Sequence, residues 1–186
     1  EDKISEKIFK QSHTETALKL AREGIVLLKN NDVLPLQKPQ NTKNKILVTG
    51  PNANNQSILG DWHKPQPDEN VLTIYEGIEK IGTEVGYVVD YHDSNQNIKK
   101  ISNSDIDKTI EIANEYDIVF VVVGDNSMRY KWSEKTAGEN TARAELNLAG
   151  NQLNLVKRLK ETGKNIIVIY ANGRPISEPW ISENIN

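Results

Sequence analysis

The sequence predicts an α/β fold: a three-layer α/β/α sandwich on a mostly parallel sheet, with one antiparallel strand. Three observations carry this prediction. Apolar, β-branched runs recur along the chain, with amphipathic helical stretches between them. After a first short run the order is β-α-β-α-β-α-β, the pattern of a parallel sheet covered by helices on both faces. Three strands close on glycine-containing turns, at Gly50, Gly124 and Gly173, so the loops that follow them gather along one sheet edge. The 186 residues suit a single domain, residues 1–186, with a full core.

Taken in order, residues 3–11 offer a short amphipathic helix, with Ile4, Ile8 and Phe9 on one side. A second helix is expected from Thr14, with Ala17, Leu18, Leu20 and Ala21 on its buried face, before Gly24 breaks the pattern. Ile25 to Lys29 reads as a short strand. An extended arm around Pro35 and a polar connection over 37–44 follow, since proline cannot continue a central strand. Lys45 to Thr49 is the next strand. The long Asn- and Pro-rich loop after Gly50 is of the kind that is functional or disordered. Thr73 caps a helix running to about Ile81, with Gly82 as its stop. Val85 to Tyr91 is a strand, Ser104 to Ala113 a helix, Ile118 to Val123 a buried strand, Asn151 to Lys160 a helix, and Asn165 to Ala171 another buried strand. The ending, WISENIN, looks like an element stopped early, so the chain reads as a segment of a longer protein.

Composition narrows the function. The net charge of -3 provides no broad basic face for nucleic acid. No stretch approaches the roughly twenty apolar residues of a membrane span. Cysteine is absent, which excludes disulfides, thiolate metal sites and cysteine nucleophiles. Neither Gly50 nor Gly124 opens a phosphate-cradling motif. His13, His63 and His92 are scattered without metal-ligand spacing. No cofactor and no metal are therefore expected.

The stretch from Asp117 to Leu148 holds the chemistry. Its apolar strand opens at Gly124 into a loop carrying Asp125, Arg129, Tyr130, Lys131, Trp132, Glu134, Lys135, Glu139, Arg143 and Glu145. A buried strand that opens into carboxylates, cations and aromatics is where an α/β protein tends to keep a site. Glu134 and Glu139 are the candidate catalytic carboxylates, because glycoside cleavage needs one acid at the leaving oxygen and a second carboxylate across the sugar. Trp132 and Tyr130 lie close by in sequence and have faces on which a sugar stacks. The same residues also fit a solvated charged loop. Trp62 in Gly60-Asp-Trp62 reads either as a sugar-stacking residue or as a loop anchor packed on the sheet. Arg174 reads as structural, bonding strand-end carbonyls or a carboxylate.

Short motifs occur in a fixed order: Arg22-Glu-Gly-Ile-Val-Leu-Leu-Lys-Asn30, Leu34-Pro-Leu36, Gly50-Pro-Asn-Ala53, Gly60-Asp-Trp62, Val121-Val-Val-Gly124, Gly138-Glu-Asn140, Leu146-Asn-Leu148 and Asn172-Gly-Arg-Pro175. Together they resemble the C-terminal α/β-sandwich domain of glycoside hydrolase family 3, the β-glucosidases and β-xylosidases. The resemblance implies a retaining, exo-acting β-glycosidase whose nucleophilic aspartate sits on a preceding (β/α)8 barrel. This domain would supply the acid/base glutamate and part of the pocket, and the fragment alone would be inactive. Glu139, in Gly138-Glu-Asn140, is the preferred acid/base and Glu134 the alternative; Trp132, Tyr130, Trp62 and Arg143 are the expected substrate contacts. Where family members often carry Asp-Arg, this chain has Ala142-Arg143, yet Arg143 retains the ability to bond a carboxylate. The acid must be protonated near neutral pH, and desolvation by a closing barrel is a physical route to that. The implied partners are a carbohydrate and the barrel, and the implied setting is periplasmic or extracellular. A non-catalytic carbohydrate-binding or interaction domain is the alternative reading.

Overall fold

Alternating apolar residues build a sheet with two buried faces. A computed structural model describes residues 10–39 and 44–186 of the chain. The strands are β1 (Lys45–Thr49), β2 (Val88–Tyr91), β3 (Ile118–Gly124) and β4 (Asn165–Ala171). They lie in the order β2-β1-β3-β4, and every pair is parallel. Ile46, Val48, Ile118, Val122 and Ile167 face one way, towards a helix α2 (Ile74–Glu84) that contributes Ile74, Tyr75 and Ile78. Leu47, Val119, Val121, Val123 and Ile166 face the other way. There they meet α3 (Asn103–Ala113), α4 (Gln152–Glu161) and the short α5 (Pro179–Asn184). These are the two apolar layers a doubly covered parallel sheet requires. Val33, Leu34 and Leu36 of the proline-containing arm pack against the α2 side, and the Tyr87 hydroxyl donates to Gln37 O at 2.5 Å.

The chain runs from β1 out to β2 and then returns past β1 to β3. The connections therefore diverge between β1 and β3, and a crevice at the carboxyl ends of these strands is where such sheets bind ligands. The loops after Thr49 and Gly124 flank that crevice.

Several sequence expectations are corrected. The sheet is wholly parallel, and no antiparallel strand joins it among the described residues. Ile25 to Lys29, expected as a strand, is irregular, and Ile25, Val26, Leu27 and Leu28 are exposed. A strand exists only through a ladder partner, and no described strand pairs with this run. It belongs to the first of two units into which the chain divides, residues 1–31 and 32–186. Within that first unit α1 (Gln11–Glu23) starts before Thr14 and buries none of its residues, including Ala17, Leu18, Leu20 and Ala21. The short helix expected over 3–11, with Ile4, Ile8 and Phe9, falls outside the described residues apart from its last two positions, and residues 40–43 of the 37–44 connection do so too.

Gly82 is the most informative correction. It does not end α2, which runs on to Glu84 and stops before Gly86, a residue with φ +102°. Thr73 does cap the helix: its side chain accepts from Glu76 N while the Glu76 carboxylate accepts from Thr73 N at 2.7 Å. Gly82 is buried, and a Cβ there would sit 2.7 Å from Val89 Cγ2 of β2. Its role is close packing of helix on strand. Alanine would gain up to about 1 kcal/mol of helix propensity. Against this, overpacking onto a stiff β-branched side chain costs about 1–3 kcal/mol. Gly82→Ala is therefore expected to lower stability by about 1 kcal/mol, read as a lower urea midpoint with an unchanged slope; an unchanged or raised midpoint would show that the interface has room.

Candidate functional site

Three strand ends are tied together before any loop chemistry begins. Asn52, just after β1, donates from Nδ2 to Asp125 O and to Ala171 O, both at 3.1 Å. Gly124 closes β3 with φ +146°, and a Cβ there would lie 2.1 Å from Ala171 O, so glycine alone permits this approach. The fully buried Gln152 side chain at the start of α4 accepts from Gly124 N and donates to Gly124 O, both at 2.9 Å.

From this joint the long loop departs, and two aspartates hold it. Asp125, with its side chain 1% exposed, accepts from Arg174 Nε at 3.0 Å and Nη2 at 3.4 Å, from Thr136 Oγ1 at 2.8 Å and from Arg143 Nη1 at 3.5 Å. Arg174 also donates to Thr136 O. Arg143 reaches on to Asn147 Oδ1 at 2.6 Å. Arg174 thus has the structural role read from its sequence, and Arg143 finds its carboxylate in Asp125.

The second aspartate is Asp61, from the loop after β1. Its Oδ1 accepts from Lys135 Nζ at 2.9 Å, and the Lys135 side chain is 1% exposed. Its Oδ2 accepts from Glu139 N at 2.5 Å, and Arg129 Nε lies 3.6 Å from Oδ1. Gly138 has φ +89°, and a Cβ on it would come within 2.6 Å of Asp61 Oδ2, so the turn presses its backbone directly onto this carboxylate. Lys135 Nζ further donates to Glu139 O at 3.1 Å and lies 4.5 Å from the centre of the Trp132 ring.

The loops after β1 and β3 also interleave through their aromatic residues. The Arg129 guanidinium stacks 3.7 Å above the Trp62 ring. His63 meets Tyr130 edge to face at 5.5 Å. The Tyr130 hydroxyl donates to Met128 Sδ at 3.1 Å, and burial pushes its pKa up from the ordinary tyrosine value. Trp62 and Trp132 remain 77% and 52% exposed, so Trp62 is not a sheet anchor.

The two candidate glutamates differ in their surroundings. The Glu139 carboxylate is ion-paired with Arg129 Nη2. Glu134 ends a 3-10 stretch, Arg129–Glu134, that kinks at Lys131. Its one ion pair among the described residues is with Lys131 Nζ, at 4.0 Å. The structure thus gathers Trp62, Tyr130, Trp132, Glu134 and Glu139 around one loop pair, while Arg143 turns away to Asp125. Sequence reading placed Asp125, Arg129 and Lys135 in the charged loop without a role, and gave Asp61 none. Asp61 did carry a signal, since it lies inside Gly60-Asp-Trp62. Among the described residues no group of three or more His, Asp or Glu could hold a metal ion, and no helix is long and apolar enough to cross a membrane.

The Asp125 cluster makes a stability prediction. Removing one partner of a buried ion pair costs about 3–5 kcal/mol when nothing replaces it. Because Arg143 remains, Arg174→Met is expected to cost about 2–3 kcal/mol, and Arg143→Met less, given its longer contact. Urea unfolding of both variants checks the order; equal midpoints for Arg174→Met and the parent would show that the cluster adds nothing.

A family model for the glycosyl hydrolase family 3 C-terminal domain matches residues 25–186. The chain is 35% identical over 182 residues to a β-xylosidase of Formosa agariphila, covering 93% of this chain and 23% of that protein. It is 29% identical over 185 residues to a periplasmic β-glucosidase of Salmonella typhimurium, covering 89% of this chain and 23% of that protein. A solved β-glucosidase involved in saponin metabolism, from intestinal bacteria, superposes with a TM-score of 0.78 at 25% identity, over 94% of this chain and 26% of its own. The chain therefore spans less than a quarter of the length of either curated relative, 23% in each case.

Proposed function

Because this chain belongs to the glycosyl hydrolase family 3 C-terminal domains, we propose that it is the second domain of a retaining, exo-acting β-glycosidase acting on β-glucosides or β-xylosides. In this reading it supplies the acid/base carboxylate and one wall of the sugar pocket. A (β/α)8 barrel elsewhere in the same protein supplies the nucleophile, and the isolated chain does not hydrolyse glycosides efficiently. The observation that carries the reading is the charged loop together with the loop after β1: two glutamates and three exposed aromatic rings, Trp62, Tyr130 and Trp132, held by buried ion pairs at the switch point of the sheet. A rigid carboxylate beside stacking faces is what proton transfer to a glycosidic oxygen needs.

The contacts favour Glu134 over Glu139 as the proton carrier. Glu139 is engaged at both ends, with its carboxylate on Arg129 and its amide on Asp61. A general acid has to present a free carboxyl oxygen to the leaving group, then accept a proton from water in the second step. Glu134 is the less exposed side chain, 28% against 44%, and its ion pair is the looser one, with Lys131 Nζ at 4.0 Å, while its neighbour Lys135 is anchored on Asp61. Trp62 and Trp132, largely exposed although a cation lies over one face of each ring, are the stacking platforms, whereas Arg143 acts through Asp125 and not on the sugar.

In the full-length protein, Glu134→Gln is expected to lower kcat on glycosides with poor leaving groups by about 10²–10⁴-fold. It should keep much of the rate on activated aryl glycosides, which depart without protonation. Glu139→Gln should lower both rates by a similar, smaller factor, through loss of the Arg129 contact. The opposite pattern would move the role to Glu139. If both variants behave as wild type, the loop is not catalytic.

A further inference from the structure

We propose that Asp61 is a positioning residue for proton transfer: from a separate loop it fixes the turn that presents Glu134. This rests on the reading of Glu134 as the general acid/base. Asp61 binds the residue that follows Glu134 and the amide five positions beyond it, through Lys135 Nζ at 2.9 Å and Glu139 N at 2.5 Å. Lys135 in turn donates to Glu139 O at 3.1 Å, so one carboxylate and one ammonium close the backbone from Lys135 to Glu139 into a ring.

Three features make this a grip on geometry and not a surface ion pair. The Lys135 side chain is 1% exposed and that of Asp61 12%, so water does not compete for either charge. The carboxylate meets a backbone amide as well as a side chain, which fixes main-chain position. Gly138 leaves no space for a side chain between the turn and Asp61. Glu134 lies at the end of the kinked 3-10 stretch, which lacks the continuous hydrogen bonding of a regular helix. Its carboxyl position therefore depends on what holds Lys135. Asp61 also adjoins Trp62, so the proton donor and a stacking ring are set by neighbouring residues of one loop. Both carboxyl oxygens of Asp61 are engaged by Lys135 Nζ and Glu139 N, so it acts through Lys135 and the turn.

The test uses the full-length enzyme, with glycosides of graded leaving-group ability. Asp61→Asn keeps the size and an acceptor for Glu139 N but removes the charge facing Lys135. It should lower kcat on poor leaving groups by about 10- to 100-fold, the scale of an ångström's misplacement of a catalytic group. Rates on activated aryl glycosides should fall less than about threefold. An unpaired Lys135 could impair folding, so Asp61→Asn with Lys135→Met removes both charges together. This double variant should melt close to wild type and still show the leaving-group split. Equal losses on both substrate types, or wild-type rates on poor leaving groups in either folded variant, would overturn the positioning role. Glu134→Gln measured alongside separates the two ideas. If it shows the split and the Asp61 variants do not, this inference alone fails; if it shows none, both fall.

Discussion

A buried carboxylate facing two guanidinium groups is the constraint on which the loop architecture depends. Asp125 leaves the sheet one residue after Gly124, where its side chain has almost no access to water. An isolated carboxylate in that position would be strongly unfavourable, so the fold must bring cations to it. Arg174 arrives from the turn after β4 and Arg143 from the far part of the long loop. Thr136, from the middle of the same loop, completes the shell with its hydroxyl at 2.8 Å. The need to neutralise one charge thus gathers three stretches of chain. It also explains why a loop with so few apolar residues has a defined course: alternatives that leave Asp125 unpaired are penalised, even if the native arrangement is little more stable than an apolar one of the same volume.

Asp61 repeats the device on the other side of the loop. Together the two aspartates divide it into a gripped backbone and freer side chains. Asp125 holds its departure from β3, and Asp61 holds the turn at Gly138. Between them lie Tyr130, Trp132 and Glu134. Both grips originate in the loops after neighbouring strands, β1 and β3, which Asn52 has already joined through Asp125 O while tying in β4 through Ala171 O. Rigidity therefore passes from the ladder to the joint and from the joint to the ion pairs. A functional group on a loop supported in this way approaches the precision of one on a regular element.

The sheet was legible because burial on two faces demands unbroken β-branched runs, and Ile118 to Val123 and Asn165 to Ala171 have them. The same rule misled at Ile25 to Lys29. Local composition satisfies a strand there, but a strand also needs a partner, and composition contains no information about partners. Gly82 misled for a related reason. Glycine marks helix ends through its freedom at positive φ, but this one is small because Val89 is close, a fact about β2 and not about α2. The loop was legible as a site through its mixture of charge and aromatic rings. Its scaffold was not, because Asp61 lies 74 residues from Lys135 and Asp125 lies 49 from Arg174. An aspartate next to a glycine reads locally as turn chemistry. Only the three-dimensional pairing reveals a buried charge.

The distribution of exposure across the loop bears on the proposed function. The groups that hold it are buried: Asp125 and Lys135 are each 1% exposed at the side chain. The rings proposed as sugar platforms are exposed, with Trp62 at 77% and Trp132 at 52%. Small-molecule sites usually enclose most of their ligand, and an acid that must hold its proton near neutral pH needs shelter from water. On this surface the two tryptophan rings are open to solvent, and the Glu134 side chain is 28% exposed. A second surface laid over Trp62, Trp132 and Glu134 would provide both enclosure and shelter, without disturbing the Asp61 and Asp125 clusters beneath. A scaffold completed within the chain beside exposed rings is consistent with the proposed function, in which the site is shared with a second domain.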